Sequence, residues 1–294
     1  MLEHQNKDEV VPKRVVVVGA HGFVGGAVMR ALALHGMDSL GLGRAEVDLL
    51  SDEAGTRIAD TLAPGDTVVA VSAIAPAKNL EMVIDNMKIA AAIADAVVTR
   101  GDDIAQVINI SSDAVYADTP TPLTEASATA PDSYHGVMHL AREVHLKAVC
   151  QAPLAILRPT LIYGAADPHN GYGPNKFRRL AANGDRIVLF GEGEELRDHV
   201  LVDDVAEIVR LSLVHRSTGV LNVASGHITS FRGVAEQVVA LFETPVQIAG
   251  TPRSGPMPHN GLRPFDVSAT GRAFPEFRYA PLSQGLAQVH AETK

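Results

Sequence analysis

Three glycines at spacing Gly-x-x-Gly-x-x-Gly, namely Gly19, Gly22 and Gly25, follow directly on the four valines of Val15–Val18. Four β-branched residues in succession predict a strand that is buried on both faces. A helical pattern begins just after the glycines, near Ala27. A strand that turns into a helix through glycines leaves backbone N–H groups free at the positive end of the helix, where a phosphate binds. The pattern therefore predicts a dinucleotide-binding loop.

The residues after the second predicted strand, which covers 39–44, indicate which dinucleotide fits. An NAD site places a carboxylate there for the ribose hydroxyls, whereas an NADP site places a cation for the 2′-phosphate. Arg44 occupies this position, and the first nearby acid is Glu46. The sequence therefore favours NADP over NAD. Asp48 and Leu49 follow where a side-chain acceptor could bind the amino group of adenine.

His135 and His139 are four residues apart, a spacing that places two imidazoles on one face of a helix. Such a pair can bind a metal ion, and His135 can also titrate near neutral pH. Residue 136 is glycine, so the glutamate of a metalloprotease helix is absent. We therefore expect no metal site and interpret the histidines as residues that lie on a helix face or contact the substrate.

These residues belong to a chain in which strand and helix patterns alternate, which predicts βαβ units and a doubly wound parallel sheet of the Rossmann type. We expect a disordered tail over 1–13 and a dinucleotide-binding domain over 14–163. The remainder, 164–294, should form a smaller C-terminal α/β substrate-binding lobe, with some return to the large domain. Further predicted strands cover 66–73, 105–110 and 154–157, and the long helices cover 80–100 and 134–150.

Composition excludes several classes of partner. The net charge of the 294 residues is −9 and no basic run occurs, which argues against nucleic acids and anionic membranes. Cys150 is the single cysteine, so an internal disulfide is excluded and a reducing cytoplasm is the expected location. The first twelve residues lack the apolar core of a signal peptide, and no stretch approaches the ~20 apolar residues that span a bilayer.

Taken together, the motifs make the chain similar to the extended short-chain dehydrogenase/reductase family of nucleotide-sugar epimerases, dehydratases and ketoreductases. The resemblance extends over most of the chain and rests on six ordered segments: 19–25 (Gly-x-x-Gly-Phe-x-Gly), 111–116 (Ser-Ser-x-x-Val-Tyr), 158–164 (Arg-Pro-x-x-x-Tyr-Gly), 197–206 (Arg-Asp-x-x-x-Val-Asp-Asp-Val-Ala), 222–226 (Asn-Val-x-x-Gly) and 263–266 (Arg-Pro-x-Asp).

The resemblance implies roles for individual residues. Ser112 corresponds to the serine or threonine that polarises the substrate, with Asp113 beside it, and Tyr134 to the tyrosine of a Tyr-x-x-x-Lys motif. Arg197 corresponds to an arginine that meets a substrate pyrophosphate, a role that suits a guanidinium fork. Further substrate contacts implied in the small lobe are Phe190 and Arg263. The implied cofactor-binding residues are Gly19, Gly22, Phe23, Val24, Gly25, Arg44, Asp48, Leu49, Ser72, Ala73, Tyr134, Pro159 and Thr160.

The sequence departs from the family pattern at residue 138, where methionine replaces the lysine that lowers the tyrosine pKa. An unassisted tyrosine with a pKa of about 10 is ionised about one part in a thousand at pH 7, a deficit of roughly 4 kcal/mol for a base. A tyrosine that acts as an acid starts protonated, so Met138 favours ketone reduction over alcohol oxidation. Ala114 occupies the glutamate position of the dehydratases. His135 or Lys78, after the strand at 66–73, could replace the missing cation, and Lys78 could also contact substrate.

The leading hypothesis is thus an NAD(P)-dependent oxidoreductase that reduces a keto group of a nucleotide-activated sugar, with Tyr134 as proton donor. Two alternatives stay open. One is an epimerase or dehydratase with a substitute base, and the other is a cofactor-binding protein that has lost redox catalysis. The resemblance also implies a homodimer, formed through the alanine-rich helix at 87–98 and the helix at 134–150.

Overall fold

The computed structural model describes residues 1–293, and within them the chain forms twelve β-strands and nine α-helices. The strands are β1 (Leu2–His4), β2 (Arg14–Val18), β3 (Ser39–Leu42), β4 (Asp66–Ala70), β5 (Ile104–Ile110), β6 (Leu154–Pro159), β7 (Leu161–Tyr163), β8 (Ile187–Phe190), β9 (Leu196–Leu201), β10 (Ser217–Val223), β11 (Ile228–Ser230) and β12 (Ile248–Thr251). The helices are α1 (Phe23–Leu34), α2 (Ala54–Thr61), α3 (Leu80–Arg100), α4 (Tyr134–Val149), α5 (Pro174–Ala182), α6 (Val202–Val214), α7 (Phe231–Val239), α8 (Ser268–Ala273) and α9 (Leu282–Ala291).

The main sheet has seven strands in the order β1-β10-β6-β5-β4-β2-β3. All neighbours in it are parallel except β1, which pairs with β10 in antiparallel fashion. The chain runs from β2 outward to β3 and then returns to β4 on the other side of β2, so the strand order reverses there. Ligands of open parallel sheets bind at the carboxyl ends of the strands beside such a reversal. The doubly wound α/β prediction is confirmed.

Helices cover both faces of the main sheet, and the four valines of β2 explain why. Val15 and Val17 pack in one core cluster with residues of α1 and α6, and Val16 and Val18 pack in another with residues of α2 and α3. All four side chains are 0% exposed. A strand that is buried on both faces needs an apolar residue at every position, which is what the valine run supplies.

The smaller lobe contains a three-stranded sheet, β11-β9-β7, and the pair β12-β8. Its separate core packs Tyr163, Phe177 and Phe231 with aliphatic residues of β8, α7 and α9. Strand β10 lies between β1 and β6, so the chain returns to the main sheet after β9. The lobe contributes one wall of the cleft described below.

The expectation of a disordered tail over 1–13 is wrong for its first residues, because β1 forms the edge of the main sheet. Leu2 pairs with Gly219 and is 7% exposed. The two ring nitrogens of His4 lie 2.8 Å from Ser217 Oγ and from the carbonyl oxygen of Ala273. A three-residue strand is too short for a periodic pattern, and its partner is more than two hundred residues away in sequence. In the described residues, no helix has the length and apolar character to span a membrane.

Candidate active site

A cleft of about 1220 Å³ lies between the carboxyl ends of the main-sheet strands and the smaller lobe. Its walls come from the loops after β2, β3, β4, β5 and β6, from the start of α4, and from the segments around residues 167–169, 197 and 258–263. Most residues that the sequence singled out for cofactor or substrate lie in this one cleft, which the following paragraphs describe from the glycine loop to the small lobe.

The glycine loop turns β2 into α1 at a point where side chains do not fit. Gly19 has φ +99°, and a Cβ there would lie 2.6 Å from Ser72 Oγ. A Cβ on Gly25 would lie 2.0 Å from the carbonyl oxygen of Gly19. Gly22 precedes α1 and provides no side-chain cap, so N–H groups of the first turn stay free beside the cleft. The loop therefore fits a pyrophosphate at a helix N-terminus.

At the end of β3, Arg44 is the first charged residue that faces the cleft. Arg44, Asp48 and Leu49 line the cleft, and Glu46 does not. Glu46 instead accepts a 2.7 Å hydrogen bond through Oε2 from the backbone N–H of Gly43. Arg44 thus offers a donor at this end of the cleft that could contact a cofactor phosphate.

The remaining predicted cofactor positions also line the cleft, with one exception. Ser72 and Ala73 follow β4, and Pro159 and Thr160 lie at the end of β6. The Thr160 hydroxyl donates to Asp198 Oδ1 at 3.0 Å, which holds the loop after β6 against β9. The exception is Tyr134, which is discussed with α4 below.

Ser112 and Asp113 stand at the carboxyl end of β5, in the middle of the cleft. The Ser112 hydroxyl accepts a 3.1 Å hydrogen bond from the backbone N–H of Ala114 and so caps a short 3-10 turn. Asp113 Oδ2 accepts from Nε of Arg263 at 3.0 Å, and Nη2 of that arginine donates to the Asp113 carbonyl oxygen at 2.7 Å. Asp113 is thus the partner of a guanidinium, which makes it less available as an acid or base.

Helix α4 turns His135 and His139, rather than Tyr134 and Met138, toward the cleft. Both histidines line it. The Tyr134 side chain is 50% exposed and is not among the lining residues, and Met138 is 0% exposed in a cluster with Ala77. Successive residues of a helix point about 100° apart, so a shift of one position moves a side chain to another face. The prediction that Tyr134 faces substrate and cofactor is corrected accordingly.

Two local contacts fix this register of α4. The Ser133 hydroxyl accepts a 3.2 Å hydrogen bond from the backbone N–H of Gly136 and caps the helix. A Cβ on Gly136 would lie 2.1 Å from the carbonyl oxygen of Ala114, so the first turn of α4 packs directly on the turn after Ser112. His135 is thereby held next to the segment that carries Ser112 and Asp113.

Two other predicted residues lie outside the cleft. Lys78 is exposed on the loop that leads into α3 and does not line the cleft. Phe190 is 60% exposed and packs its ring on Tyr172, with the ring centroids 4.7 Å apart. The predicted substrate contacts of both residues are therefore corrected.

Arg197 and Arg263 line the end of the cleft that the small lobe covers, and both are buried. Arg197 forms an ion pair with Glu195, and Arg263 Nη1 donates to Asp118 Oδ1 at 2.6 Å. Asp118 also contacts the ring of His259. Sequence reasoning missed Asp118 and His259, which hold Arg263 at this end of the cleft. The two residues come from irregular loops more than a hundred residues apart.

The match to a family model is decisive for classification. The model described as "NAD dependent epimerase/dehydratase family" matches residues 15–224. The chain belongs to this family. The match covers the glycine loop, Ser112, the two cleft histidines and Arg197, and it ends before Arg263.

Named relatives and solved structures support this membership. A putative GDP-L-fucose synthase 2 from Oryza sativa subsp. japonica is 27% identical over 252 residues, which cover 76% of this chain and 72% of the relative. A dTDP-L-rhamnose 4-epimerase from Burkholderia thailandensis is 32% identical over 138 residues, covering 44% of this chain and 38% of the relative. The structure of a UDP-glucose 4-epimerase from Thermotoga maritima has a TM-score of 0.83 at 19% identity, covering 95% of this chain and 97% of its own. The structure of a GDP-L-fucose synthetase from Naegleria fowleri has a TM-score of 0.81 at 17% identity, covering 98% of this chain and 96% of its own.

The epimerase/dehydratase chain holds its motif segments together through a buried hydrogen-bond network beneath the cleft. Arg158 donates to both carboxylate oxygens of Glu143, at 2.8 and 2.6 Å, and to the Tyr116 hydroxyl at 2.7 Å. Ser111 Oγ donates to Glu143 Oε1 at 2.6 Å, and the Tyr116 hydroxyl donates to Asn222 Oδ1 at 2.6 Å. These motif residues therefore join β5, α4, β6 and β10, and their role is structural.

The two histidines are uncharged near neutral pH. Burial lowers the pKa of His135 below its ordinary value of 6.5, the Asp113 carboxylate opposes this effect, and the charge of Arg142 adds to it. Burial and the same guanidinium hold the pKa of His139 well below 6.5. The ring centroids lie 4.7 Å apart with the planes at 87°. The cleft thus presents two neutral imidazoles in contact with each other.

Proposed function

We propose that this protein is an NAD(P)-dependent oxidoreductase of the cytoplasm that interconverts a keto group and a hydroxyl group on a nucleotide-activated sugar, with NADP as the preferred cofactor. The observation that carries the proposal is the single cleft in which the glycine loop, Ser112 and two buried arginines lie in succession. The relatives bear the names of nucleotide-sugar enzymes. The lone, half-buried Cys150 is consistent with a reducing compartment.

The cofactor would bind along the carboxyl ends of β2, β3 and β4. The free N–H groups at the start of α1 suit its pyrophosphate, and Arg44 suits a 2′-phosphate. Asp48 and Leu49 would contact the adenine, and Ser72, Pro159 and Thr160 would bound the path toward Ser112. When bound, the nicotinamide supplies or accepts a hydride.

The substrate would bind on the other side of Ser112. The Ser112 hydroxyl accepts from the N–H of Ala114 and donates a long, 3.4 Å hydrogen bond to Asp113 Oδ1. It would donate to a sugar carbonyl oxygen by exchanging this weak bond for a new one. Arg197 and Arg263 present buried guanidinium groups that suit diphosphate oxygens. Because both are paired with carboxylates, a diphosphate would bind by taking over part of these hydrogen bonds.

A second candidate reaction, oxidation of a sugar hydroxyl as in a 4-epimerase, is favoured by the state of the histidines. The argument from Met138 against oxidation assumed that Tyr134 faces the cleft, and Tyr134 does not. His135 and His139 are neutral near pH 7 and can accept a proton. The two directions share one site, and their pH dependence distinguishes them.

We further infer a homodimer formed through α3 and α4, which pack side by side. The support is a set of large apolar side chains that these helices expose: Leu80, Ile84, Val98, Val137 and Val144. Exposed apolar patches of this kind mark interfaces between proteins.

Cofactor titration tests the proposed function. The chain contains no tryptophan, so NADPH and NADH fluorescence can be followed with little protein background. We expect saturable binding of both cofactors, tighter for NADPH. If neither reduced cofactor binds at millimolar concentration, the proposed function is wrong.

A further inference from the structure

The starting observation is a pair of imidazoles on the wall of the cleft, of which His139 is buried and His135 is half-buried. His135 and His139 line the same cleft as Ser112 and the glycine loop. The Nδ1 atom of each ring is buried without a hydrogen-bond partner. Buried polar atoms are usually hydrogen-bonded, so an unpartnered ring nitrogen in the wall of a cleft is a candidate contact for a ligand.

The position of the pair relative to Ser112 follows from α4. The contact between Gly136 and the Ala114 carbonyl oxygen places His135 beside the turn that Ser112 caps. His139 lies one helical turn further along and remains on the cleft wall. A substrate oxygen that contacts Ser112 is therefore within the part of the cleft that His135 lines.

A third residue on this face of α4 adds to the effect of burial on the charge of the pair. Arg142 is 1% exposed, and its Nε and Nη1 atoms are buried without a hydrogen-bond partner. It lies seven residues after His135 and three after His139, so all three share one face of the helix. The other charged or titratable groups that act on His135 are Asp113, on the turn after β5, and His169, on the loop after β7. Arg142 thus places an uncompensated positive charge next to two imidazoles.

We propose that His135 and His139 are the proton-transfer pair of this site and that Arg142 is a positioning residue whose charge adds to burial in disfavouring protonation of both rings in the resting protein. This inference rests on the proposed function. In this proposal, His135 exchanges the proton with the substrate oxygen. His139 supports His135 through the contact between their rings and faces the cofactor side of the cleft.

The step balances with the groups named. In reduction, the carbonyl carbon of the sugar gains a hydride, the carbonyl oxygen gains a proton from the protonated His135, and the products are a secondary alcohol, neutral His135 and oxidised nicotinamide. Oxidation is the reverse, with neutral His135 as the proton acceptor. Reduction therefore slows as pH rises through the lowered pKa of His135, and oxidation accelerates over the same range.

The first test uses the cofactor-free protein and does not depend on activity. The imidazole Cε1–H resonances of His135 and His139 are assigned with H135F and H139F and titrated by NMR. We expect both to titrate below 6.5 in the parent chain and at higher pH in Arg142→Met. His35 lies at the end of α1 outside the cleft, and the chemical shift of its resonance at a fixed pH should be the same in both proteins. The role of Arg142 would be overturned if His135 and His139 titrate at the ordinary value of 6.5, or if their pKa values are the same in Arg142→Met as in the parent chain.

The second test separates His135 from its neighbour Tyr134. UDP-glucose, GDP-L-fucose and dTDP-L-rhamnose are each supplied with NADP⁺ or NAD⁺, and the fluorescence of the reduced cofactor is followed. With a probe that reacts, we expect His135→Phe to lower kcat at least 100-fold and Tyr134→Phe to change it less than threefold. The proposal is overturned if His135→Phe keeps full activity, or if NADPH leaves both cleft-histidine resonances unshifted. Failure of NADPH to bind at all would instead refute the proposed function.

Discussion

The chemistry of the cleft depends on which side chains of α4 point inward. Position 135 carries an imidazole that is less basic than an exposed one, and position 139 carries a second imidazole behind it. A neutral imidazole can accept a proton at pH 7 without first losing one. A tyrosine whose pKa is about 10 must lose its own proton before it can act as a base, and at pH 7 only about one in a thousand has done so. The absence of lysine at Met138 therefore does not decide the direction of the reaction, because Met138 packs in the core.

Arg44 gives a prediction about cofactor choice. A guanidinium that binds a 2′-phosphate contributes charge-assisted hydrogen bonds, each worth about 1.5–3 kcal/mol. We expect Arg44→Ala to weaken NADPH binding roughly 10- to 100-fold and NADH binding less than threefold. Fluorescence titration measures both. Arg186→Ala, which removes an exposed arginine outside the cleft, is the matched control. An equal loss of affinity for both cofactors would show that Arg44 does not bind the 2′-phosphate.

Glu143 gives a prediction about stability. Burial alone would raise the pKa of this carboxyl, but the hydrogen bonds and charge of Arg158 outweigh burial and hold the pKa below its usual value. A pKa that is lower in the folded than in the unfolded state stabilises the fold above the unfolded pKa of about 4.3. That contribution is lost as pH falls through the folded pKa. We expect Glu143→Gln to cost about 3–5 kcal/mol at pH 7, because it leaves Arg158 buried without a counter-charge.

Urea denaturation at pH 7 and at pH 3.5 measures the effect of Glu143→Gln. The difference from the parent chain should shrink at the lower pH. Glu207→Gln is a control, since that glutamate pairs with Arg210 on one surface of α6 and is partly exposed. If Glu143→Gln and Glu207→Gln cost the same at pH 7, the buried network does not stabilise the fold as argued.

At the element scale, the glycine loop could be predicted from the sequence because its cause is local. The valine run, the glycines and the following helix are adjacent in the chain, and each limits the backbone of the next. The register of α4 could not be predicted, because it depends on contact between Gly136 and Ala114, twenty-two positions earlier. The sequence-based prediction placed the cleft-facing positions of the helix one residue too early, and so it selected Tyr134 and Met138 instead of the two histidines.

Gly136 itself tests this reading of α4. A Cβ at position 136 would clash with the Ala114 carbonyl oxygen, so Gly136→Ala must displace the start of the helix. Overpacking of this kind costs about 1–3 kcal/mol. We expect that loss in urea denaturation, together with weaker NADPH binding. Gly271→Ala in α8 is the matched control, since a Cβ there meets nothing within 4 Å. Equal stability of the two variants would contradict the tight contact.

At the scale of the whole molecule, the contacts that escaped sequence reasoning are those between distant segments. Strand β1 pairs with β10 across the length of the chain, and Asp118 meets His259 and Arg263 only after the fold has formed. Strand β1, Asp118 and His259 belong to no periodic pattern or motif, and the motif that marks Arg263 does not indicate its partners. The alternation of strands and helices, by contrast, was sufficient to predict the doubly wound sheet.

The surface formed by α3 and α4 gives a prediction about assembly. We expect a dimer in light scattering at micromolar concentration, and we expect the double variant Ile84→Glu, Val144→Glu to be monomeric because it buries two carboxylates in an apolar interface. Leu34→Glu is the control, since Leu34 is 84% exposed on α1 and away from this surface. A parent chain that is monomeric would refute the proposed homodimer.

One measurement tests most directly the claim that the cleft joins a dinucleotide site to a histidine pair. NADPH is added to the protein while the assigned imidazole resonances are recorded by NMR. The account predicts that the resonances of His135 and His139 shift with saturation at one equivalent of bound cofactor, while the resonance of His35 stays in place. Saturable NADPH binding that leaves His135 and His139 unmoved would contradict it.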